Sequence, residues 1–390
     1  MKIIIIICLM AGISSTAVNA TTIKGVVTDA LTQQPLNGVY VYINQSTQLA
    51  ITDTSGKFEF NNLNSVEADL IATKMGFETL SYHINLQKIP AQIHFEMARE
   101  DTIFMLGWIG SGIAKGNEWF QLFQNFFMGH SAYASQCEIL NSDILHFKWN
   151  DSTQILDVKA DGPLLVSNEA LGYLLIINLD DFKMNKNGDM VYDATVAFKP
   201  LHSKSIDIIN KWHENRKKNY ATSQVAFWKS LFNDSLQQHG FSVQFIKRIF
   251  ENDLGYSEAV NNKKNTTGIQ SVKEGNNIVK KKFVDVQLNG TQNKLSNFLQ
   301  KKQSGVAILS AAQYILQIKY RRVDAWALDE RNNGFNPFLS AFSESYSYII
   351  FSNNISINQS GYVFPTSNFW VIGDWNWMGL STALPYDLVL

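Results

Sequence analysis

Ile23-Lys24-Gly25-Val26-Val27-Thr28-Asp29, then Gln34-Pro35-Leu36-Asn37-Gly38 and Thr52-Asp53-Thr54-Ser55-Gly56-Lys57, set the architecture of the N-terminal part of the chain. The first is a β-branched run that ends on a turn-forming aspartate. The other two are turns, because Pro presets φ, Asp and Ser bond locally and Gly accepts positive φ. Between them lie Val39-Tyr40-Val41-Tyr42-Ile43 and the alternating Phe58-Glu59-Phe60. Leu70-Ile71-Ala72-Thr73, a Met75-Gly76-Phe77 turn, Thr79 to Leu86 and the alternation Ile93, Phe95, Met97 complete the set. Short strands at this spacing predict a β-sandwich.

Upstream, Lys2, the apolar run Ile3 to Ile13 and Val18-Asn19-Ala20 have the pattern of a secretory signal cleaved after Ala20. A spanning helix needs about 20 apolar residues, and Ser14, Ser15 and Thr16 interrupt this one. Cys8 lacks the small-residue setting of a lipid-attachment cysteine, so a released protein is expected. Cys137 is then the only cysteine of the mature chain, which excludes an intramolecular disulfide. No later segment is long and apolar enough to span a membrane. With 390 residues, 45% hydrophobic and 12% aromatic, packed cores can supply the stability. A net charge of -1 exerts no overall pull on nucleic acid or anionic membrane, and Lys280-Lys281-Lys282 reads as a solvated strand end.

The N-terminal elements resemble the carboxypeptidase regulatory-like domain, a transthyretin-like sandwich. Lys24 to Asp29 stands for its G-x-V-x-D, Pro35-Leu36-Asn37-Gly38-Val39 for P-L-x-G-A, Thr52 to Phe58 for T-D-x-x-G-x-F, and Gly76-Phe77 for its late G-[FY]. Val39 replaces the usual Ala. The resemblance implies a non-catalytic module, one that precedes carboxypeptidases, outer-membrane receptors and many secreted Bacteroidota proteins.

Beyond it, four glycines between Gly107 and Gly116 loosen a changeover region, and Phe120, Phe123 and Phe127 predict a helix packed on the next domain. From Cys137 to Phe198 the pattern is β, with Tyr173 to Leu179 as a central strand and Asn187-Gly188 as a hairpin turn. Residues 204–239 predict two helices. Ile206, Ile209 and Trp212 share a face of the first, and Phe227, Trp228, Leu231 and Phe232 carry the second, capped by Gly240. Residues 252–277 read as a mobile loop. Strands resume at Phe283, ending in a hairpin of Tyr346–Phe351 with Ile355–Ile357 around Ser352-Asn353-Asn354. No repeat of solenoid period is visible. The expected fold class is mostly β (α+β). The expected division is a signal at 1–20, a transthyretin-like, Ig-like sandwich at 21–98 and a larger β-rich body at 99–390 with an inserted helical pair.

The body is similar to the uncharacterised body of Bacteroidota proteins carrying this regulatory-like domain. The similarity rests on Cys137-Glu138-Ile139-Leu140-Asn141, Pro163-Leu164, Asn168 to Tyr173, Trp212-His213-Glu214-Asn215-Arg216 and Leu384-Pro385-Tyr386-Asp387. Thr222-Ser223 and Ala226-Phe227 depart from the Gly-Ser and His-Phe usual there, so no role is carried over for the missing histidine. The resemblance implies architecture and location, with no reaction.

The residues supply little catalytic chemistry. A zinc carboxypeptidase needs His and Glu three apart plus a distant His, and none of the seven histidines meets that spacing. His94-Phe95-Glu96 puts two side chains on one strand face, too few for a metal. Gly110-Ser111-Gly112 is not a nucleophile elbow. Cys137 reads as a buried structural thiol, and no phosphate-binding glycine loop occurs. No cofactor and no metal are therefore expected.

Two interaction candidates remain. Phe369, Trp370, Trp375 and Trp377 crowd around Asp374, and such a group can hold a sugar or peptide, although large aromatics are more often core. Asp101-Thr102-Ile103, Asp151-Ser152-Thr153 and Asp234-Ser235-Leu236 look like O-glycosylation sites of Bacteroidota envelope proteins, at Thr102, Ser152 and Ser235. The expected protein is an exported, non-catalytic binding or adaptor protein of the periplasm or cell surface, with an envelope protein or glycan as partner. The alternatives are an envelope hydrolase using Asp374 and the Trp-rich end, or a soluble accessory of an outer-membrane transporter.

Overall fold

The computed structural model describes residues 21–63, 67–85, 88, 92–100, 107–112, 114–186, 188, 190–262, 264–274, 277–302, 305–321 and 344–390. The expected signal at 1–20 lies outside them. The N-terminal strands are β1 (Thr21–Asp29), β2 (Tyr40–Ile43), β3 (Leu49–Ile51), β4 (Lys57–Leu63), β5 (Glu67–Thr73), β6 (Leu80–Asn85) and β7 (Ile93–Met97). They form two sheets, β4-β1-β7 and β3-β2-β5-β6. Val27, Val41, Phe58, Leu70 and Phe95 fill the space between them. Gly25 sits where a Cβ would come within 2.3 Å of the Phe58 ring, so only glycine lets that ring lie across β1. Asp29 accepts from the main-chain N–H groups of Leu31 and Thr32 at 2.9 and 3.0 Å, and Asp53 accepts from those of Ser55 and Lys57 at 2.8 and 2.9 Å. The turn aspartates are thus spent on their own turns.

The middle of the chain contains β8 (Ile109–Gly110), α1 (Ala114–Met128), β9 (Cys137–Ile139), β10 (Leu145–Asn150), β11 (Ile155–Ala160), β12 (Leu164–Asn168), β13 (Tyr173–Asn185) and β14 (Met190–Pro200). Its strands make a seven-stranded sheet in which β14 pairs with β13 along nearly its whole length, and Ala197 of β14 makes one further bridge to Ser46. Phe123 and Phe127 of α1 pack on Phe147 and Phe182 of the sheet, as their spacing predicts.

Next come α2 (Ile206–Tyr220), α3 (Gln224–Phe232), β15 (Phe241–Phe250), α4 (Tyr256–Asn261), β16 (Thr266–Glu274), β17 (Asn277–Gln287), β18 (Leu299–Lys301), β19 (Val306–Leu309), β20 (Tyr314–Arg321), β21 (Glu344–Phe351), β22 (Ile355–Asn358), β23 (Val363–Phe364), β24 (Phe369–Gly373) and α5 (Asp374–Met378). The strands form the sheets β16-β17-β15-β20-β21-β24 and β18-β19-β22-β23. Phe227, Phe241, Phe245, Leu316, Ile349 and Ile357 join them in one core.

Four expectations are corrected here. Residues 252–277 are not a loop: they hold α4 and β16, and β16 pairs with β17 from Thr266↔Asp285 to Glu274↔Asn277. Backbone pairing overrides their polar composition. The strands around Ser352-Asn353-Asn354 are not a hairpin, because β21 pairs with β20 and β24 while β22 pairs with β19 and β23. Of the three α2 residues assigned to a buried face only Trp212 is buried; Ile206 and Ile209 are 65% and 42% exposed because the first turns of α2 overhang the body. Gly240 closes the short turn Gln237–His239, not α3, which ends at Asn233.

The units share cores. Tyr42 and Ile71 of the sandwich pack on Ile176 and Ala197 of the seven-stranded sheet. Tyr362 donates to Asp69, whose other oxygen lies 2.6 Å from His83 Nδ1. The C-terminal segment ties all three units. His130 N–H donates to Trp377 O, Asn168 Nδ2 to Ser381 O, Tyr386 N–H to Gln45 O, and Thr47 N–H and Oγ1 to Asp387. Residues quoted for the second resemblance meet here as well. Trp212 Nε1 donates to Glu169 O at 2.8 Å, Arg216 Nε to Leu171 O at 2.6 Å, and the Arg216 guanidinium lies 4.1 Å over the Tyr173 ring.

Where the end of α1 meets the end of α5, Gly129 (φ +80°) would place a Cβ 2.3 Å from the Met378 carbonyl carbon. Gly129→Ala is expected to lower unfolding free energy by more than about 2 kcal/mol, against about 1 kcal/mol for Gly76→Ala. Gly76 has a similar φ of +77° with nothing within 4 Å, and urea unfolding of both variants checks this contrast. The His83 pKa is raised, first by its hydrogen bond to Asp69. A raised histidine pKa adds stability that is full below the unfolded value and is lost as pH rises through the folded one. His83→Gln should therefore be less stable than the parent at pH 5.5, and the gap should shrink by pH 8.5 in urea unfolding series.

Candidate functional site

A cleft of about 320 Å³ opens between residues 190–194 of β14 and residues 369–372 of β24. The α2–α3 link and α5 supply its floor. Its existence follows from how β14 is covered. The Asn44–Ser46 turn of the sandwich occupies the far half of that strand: Gln45 N–H donates to Val196 O, Phe198 N–H to Ser46 O, and Val196 N–H to Asn44 Oδ1. The near half extends past this turn. Val191 is 65% and Tyr192 38% exposed, and across the cleft Trp370 and Ile372 are each 41% exposed.

Below the rim the polar groups are engaged with one another. Asp374 is 1% exposed, and Tyr320 Oη donates to its Oδ2 at 2.5 Å. The Trp375 N–H donates to Ser347 Oγ at 3.0 Å, and its ring stacks on Tyr320 at 5.3 Å while Nε1 donates to Thr222 O at 2.7 Å. Ser223 Oγ caps α3 by accepting from Ala226 N–H, and Asn219 Nδ2 donates to Thr382 O. This arrangement can bury an apolar ligand surface; its one deep carboxylate faces a tyrosine hydroxyl.

The aromatic cluster expected around Asp374 is thus split, between Phe369 and Trp370 by the alternation of β24 and between Trp375 and Trp377 by their different directions on α5. Trp370 is on the rim, Phe369 faces inward, Trp375 is core, and Trp377 stacks on His130 at 4.0 Å. Val191 and Tyr192 were not anticipated: nothing in a local β pattern says that half of a strand edge stays uncovered. Ser152 is exposed in the turn between β10 and β11, and Ser235 is half-buried beside the Ser230 carbonyl. Thr102 lies outside the described residues. His94 Nε2 lies 2.9 Å from Thr28 Oγ1. Among the described residues, no three His, Cys, Asp or Glu side chains form a group that would hold a metal. Cys137 is a free, buried thiol, and burial pushes its pKa up to about 12. No helix among the described residues is long and apolar enough to cross a membrane.

Asp193 lines the cleft and bears on Asp180. The Asp180 carboxyl is pushed up to about 6, by desolvation first and by the Asp193 charge second, against a lowering hydrogen bond from Asn178. A raised carboxyl pKa means the folded chain holds its proton longer than the unfolded chain, so this group costs stability as pH rises from about 4 through 6. Asp180→Asn should therefore gain stability relative to the parent at pH 8 and not at pH 4.5, measured by chemical unfolding.

The fold is mostly β, with an Ig-like N-terminal sandwich. Residues 23–104 match the family model of the CarboxypepD_reg-like domain, so the chain carries a carboxypeptidase regulatory-like domain at that place. No curated protein shows a significant match to the chain. Two solved structures align over much of its length. One is a DUF3823 family protein from Bacteroides uniformis ATCC 8492, with 10% identity, 87% of this chain and 99% of that one covered, and a TM-score of 0.15. The other is a protein of unknown function from Bacteroides fragilis NCTC 9343, with 9% identity, 91% and 98% covered, and a TM-score of 0.18. At such scores neither carries an argument about this chain.

Proposed function

We propose that this chain is an exported, non-catalytic binding or adaptor protein of the cell envelope, acting in the periplasm or at the cell surface on an envelope protein or glycan. The export part rests on the Lys2, Ile3–Ile13 and Val18-Asn19-Ala20 pattern. The binding part is carried by one observation. Tyr192 on one strand and Trp370 and Ile372 on another, distant in sequence, bring partly exposed apolar side chains to one cleft, the Tyr192 ring also packing on Phe127 and Phe182. Exposed apolar patches rimming a cleft mark interaction sites more often than scattered exposed residues do. The polar groups beneath the rim support binding over catalysis, since Asp374 and Ser347 are committed to Tyr320 and Trp375. In this reading the regulatory-like sandwich is a mount: its Asn44–Ser46 turn covers half of the β14 edge and leaves the other half open.

Export is checked by the mass of the mature chain, which should begin at Thr21. A photo-crosslinking residue placed at Tyr192 or Trp370 should capture a defined envelope component. The same residue at Leu31, which is 85% exposed on the sandwich, should not. Equal labelling at Leu31 would overturn the site. Turnover of an ester, glycoside or peptide substrate that is abolished by Asp374→Asn would overturn the non-catalytic reading.

A further inference from the structure

Among the described residues the strands that border the cleft are both outer strands: β24 ends its six-stranded sheet, and the cleft-side half of β14 has β13 as its strand partner. A strand that lines a cavity with one face contributes every second residue. Here residues 190–194 and 369–372 line it in unbroken succession. Unbroken lining means that the strand edges border the cleft, with their rows of main-chain N–H and C=O groups. Among the described residues, no hydrogen bond is made by the cleft-side main-chain groups of 190–194 and 369–372, whereas Val196 and Phe198 are taken up by the sandwich turn.

We propose that the cleft takes an extended peptide segment of a partner protein, added as a strand along β24 with apolar side chains against Trp370, Ile372 and Tyr192. This deepens, and rests on, the binding-protein reading above. An open edge repeats a donor and an acceptor every second residue, about 6.8 Å, and another extended backbone matches that repeat while sugar hydroxyls do not. Open apolar edges are otherwise aggregation hazards that proteins blunt with lysine, proline or a cover. Neither edge segment bears lysine or proline within its lining residues. Strand addition derives affinity from main-chain bonds and specificity from alternate side chains.

The test pans a displayed random heptapeptide library on the full mature chain. The strongest binder is then synthesised with N-methyl groups on alternate amides, in each of the two registers. One register should lose at least about tenfold in affinity while the other stays within about threefold, because only one set of N–H groups faces β24. Ile372→Lys should weaken the unmodified peptide at least about tenfold, and Ile206→Lys, on the overhang of α2, should leave it unchanged; circular dichroism checks that both variants fold. Equal affinity in both registers, or no peptide that distinguishes the parent from Ile372→Lys, overturns strand addition. So does a concentration-dependent dimer in sedimentation that Ile372→Lys abolishes and peptides do not compete, which assigns the edge to a second copy. Binding of envelope polysaccharide lost in Trp370→Ala, with no peptide captured, overturns the strand assignment and leaves the binding-protein reading standing. Uniform crosslinking at Leu31 and Tyr192 overturns the reading itself.

Discussion

The crossing of Gly129 and Gly379 is the constraint on which the other contacts of the C-terminal segment depend. A Cβ on either residue would fall within 2.7 Å of backbone atoms of the opposite segment. Contact this close between two main chains leaves no room for a side chain, so both positions require glycine and both have positive φ. From that crossing the chain can run on to bond Ser131 and Asn168 through Ser381, Gln45 through Tyr386, and Thr47 through Asp387. The last residues of the sequence thereby bond to the first sandwich and to the seven-stranded sheet.

That strap also sets the shape of the cleft. It holds α5, and with it the Asp374–Tyr320 and Trp375–Thr222 bonds, at the end of β24. The sandwich meanwhile lays its Asn44–Ser46 turn along β14 and stops after Val196. The open space is what remains between two sheets fixed independently, one by the strap and one by the turn. The cleft side is largely apolar because Tyr192 of β14 and Trp370 and Ile372 of β24 are side chains favoured in strands whichever side they face.

Local chemistry was legible in the sequence wherever the partner of a residue lies nearby in the chain. Asp29 and Asp53 bond to main-chain groups two to four residues on, and the motifs that contain them announce the sandwich. The α1 helix was readable because Phe123 and Phe127 recur at one helical turn and both are buried. Legibility failed where pairing is long-range. The polar segment 266–274 looks like loop until β17 supplies its hydrogen bonds, and Ser352-Asn353-Asn354 looks like a hairpin because turn residues do not state which sheet the next strand joins. The aromatic cluster at the C-terminus was visible, but its division into a rim residue, a core residue and a residue stacked on His130 was not.

By itself, the sequence determined the sandwich with its turns, the mostly-β class and the helical pair, since each depends on periodicity or on local bonding. Only the tertiary structure decided which strand edges stay open, which tryptophan meets solvent and how the C-terminal segment joins the three units. Those outcomes depend on contacts between residues hundreds of positions apart, such as Thr47 with Asp387, and on the close crossing at Gly129 and Gly379, where a side chain on either would strike the backbone of the other segment.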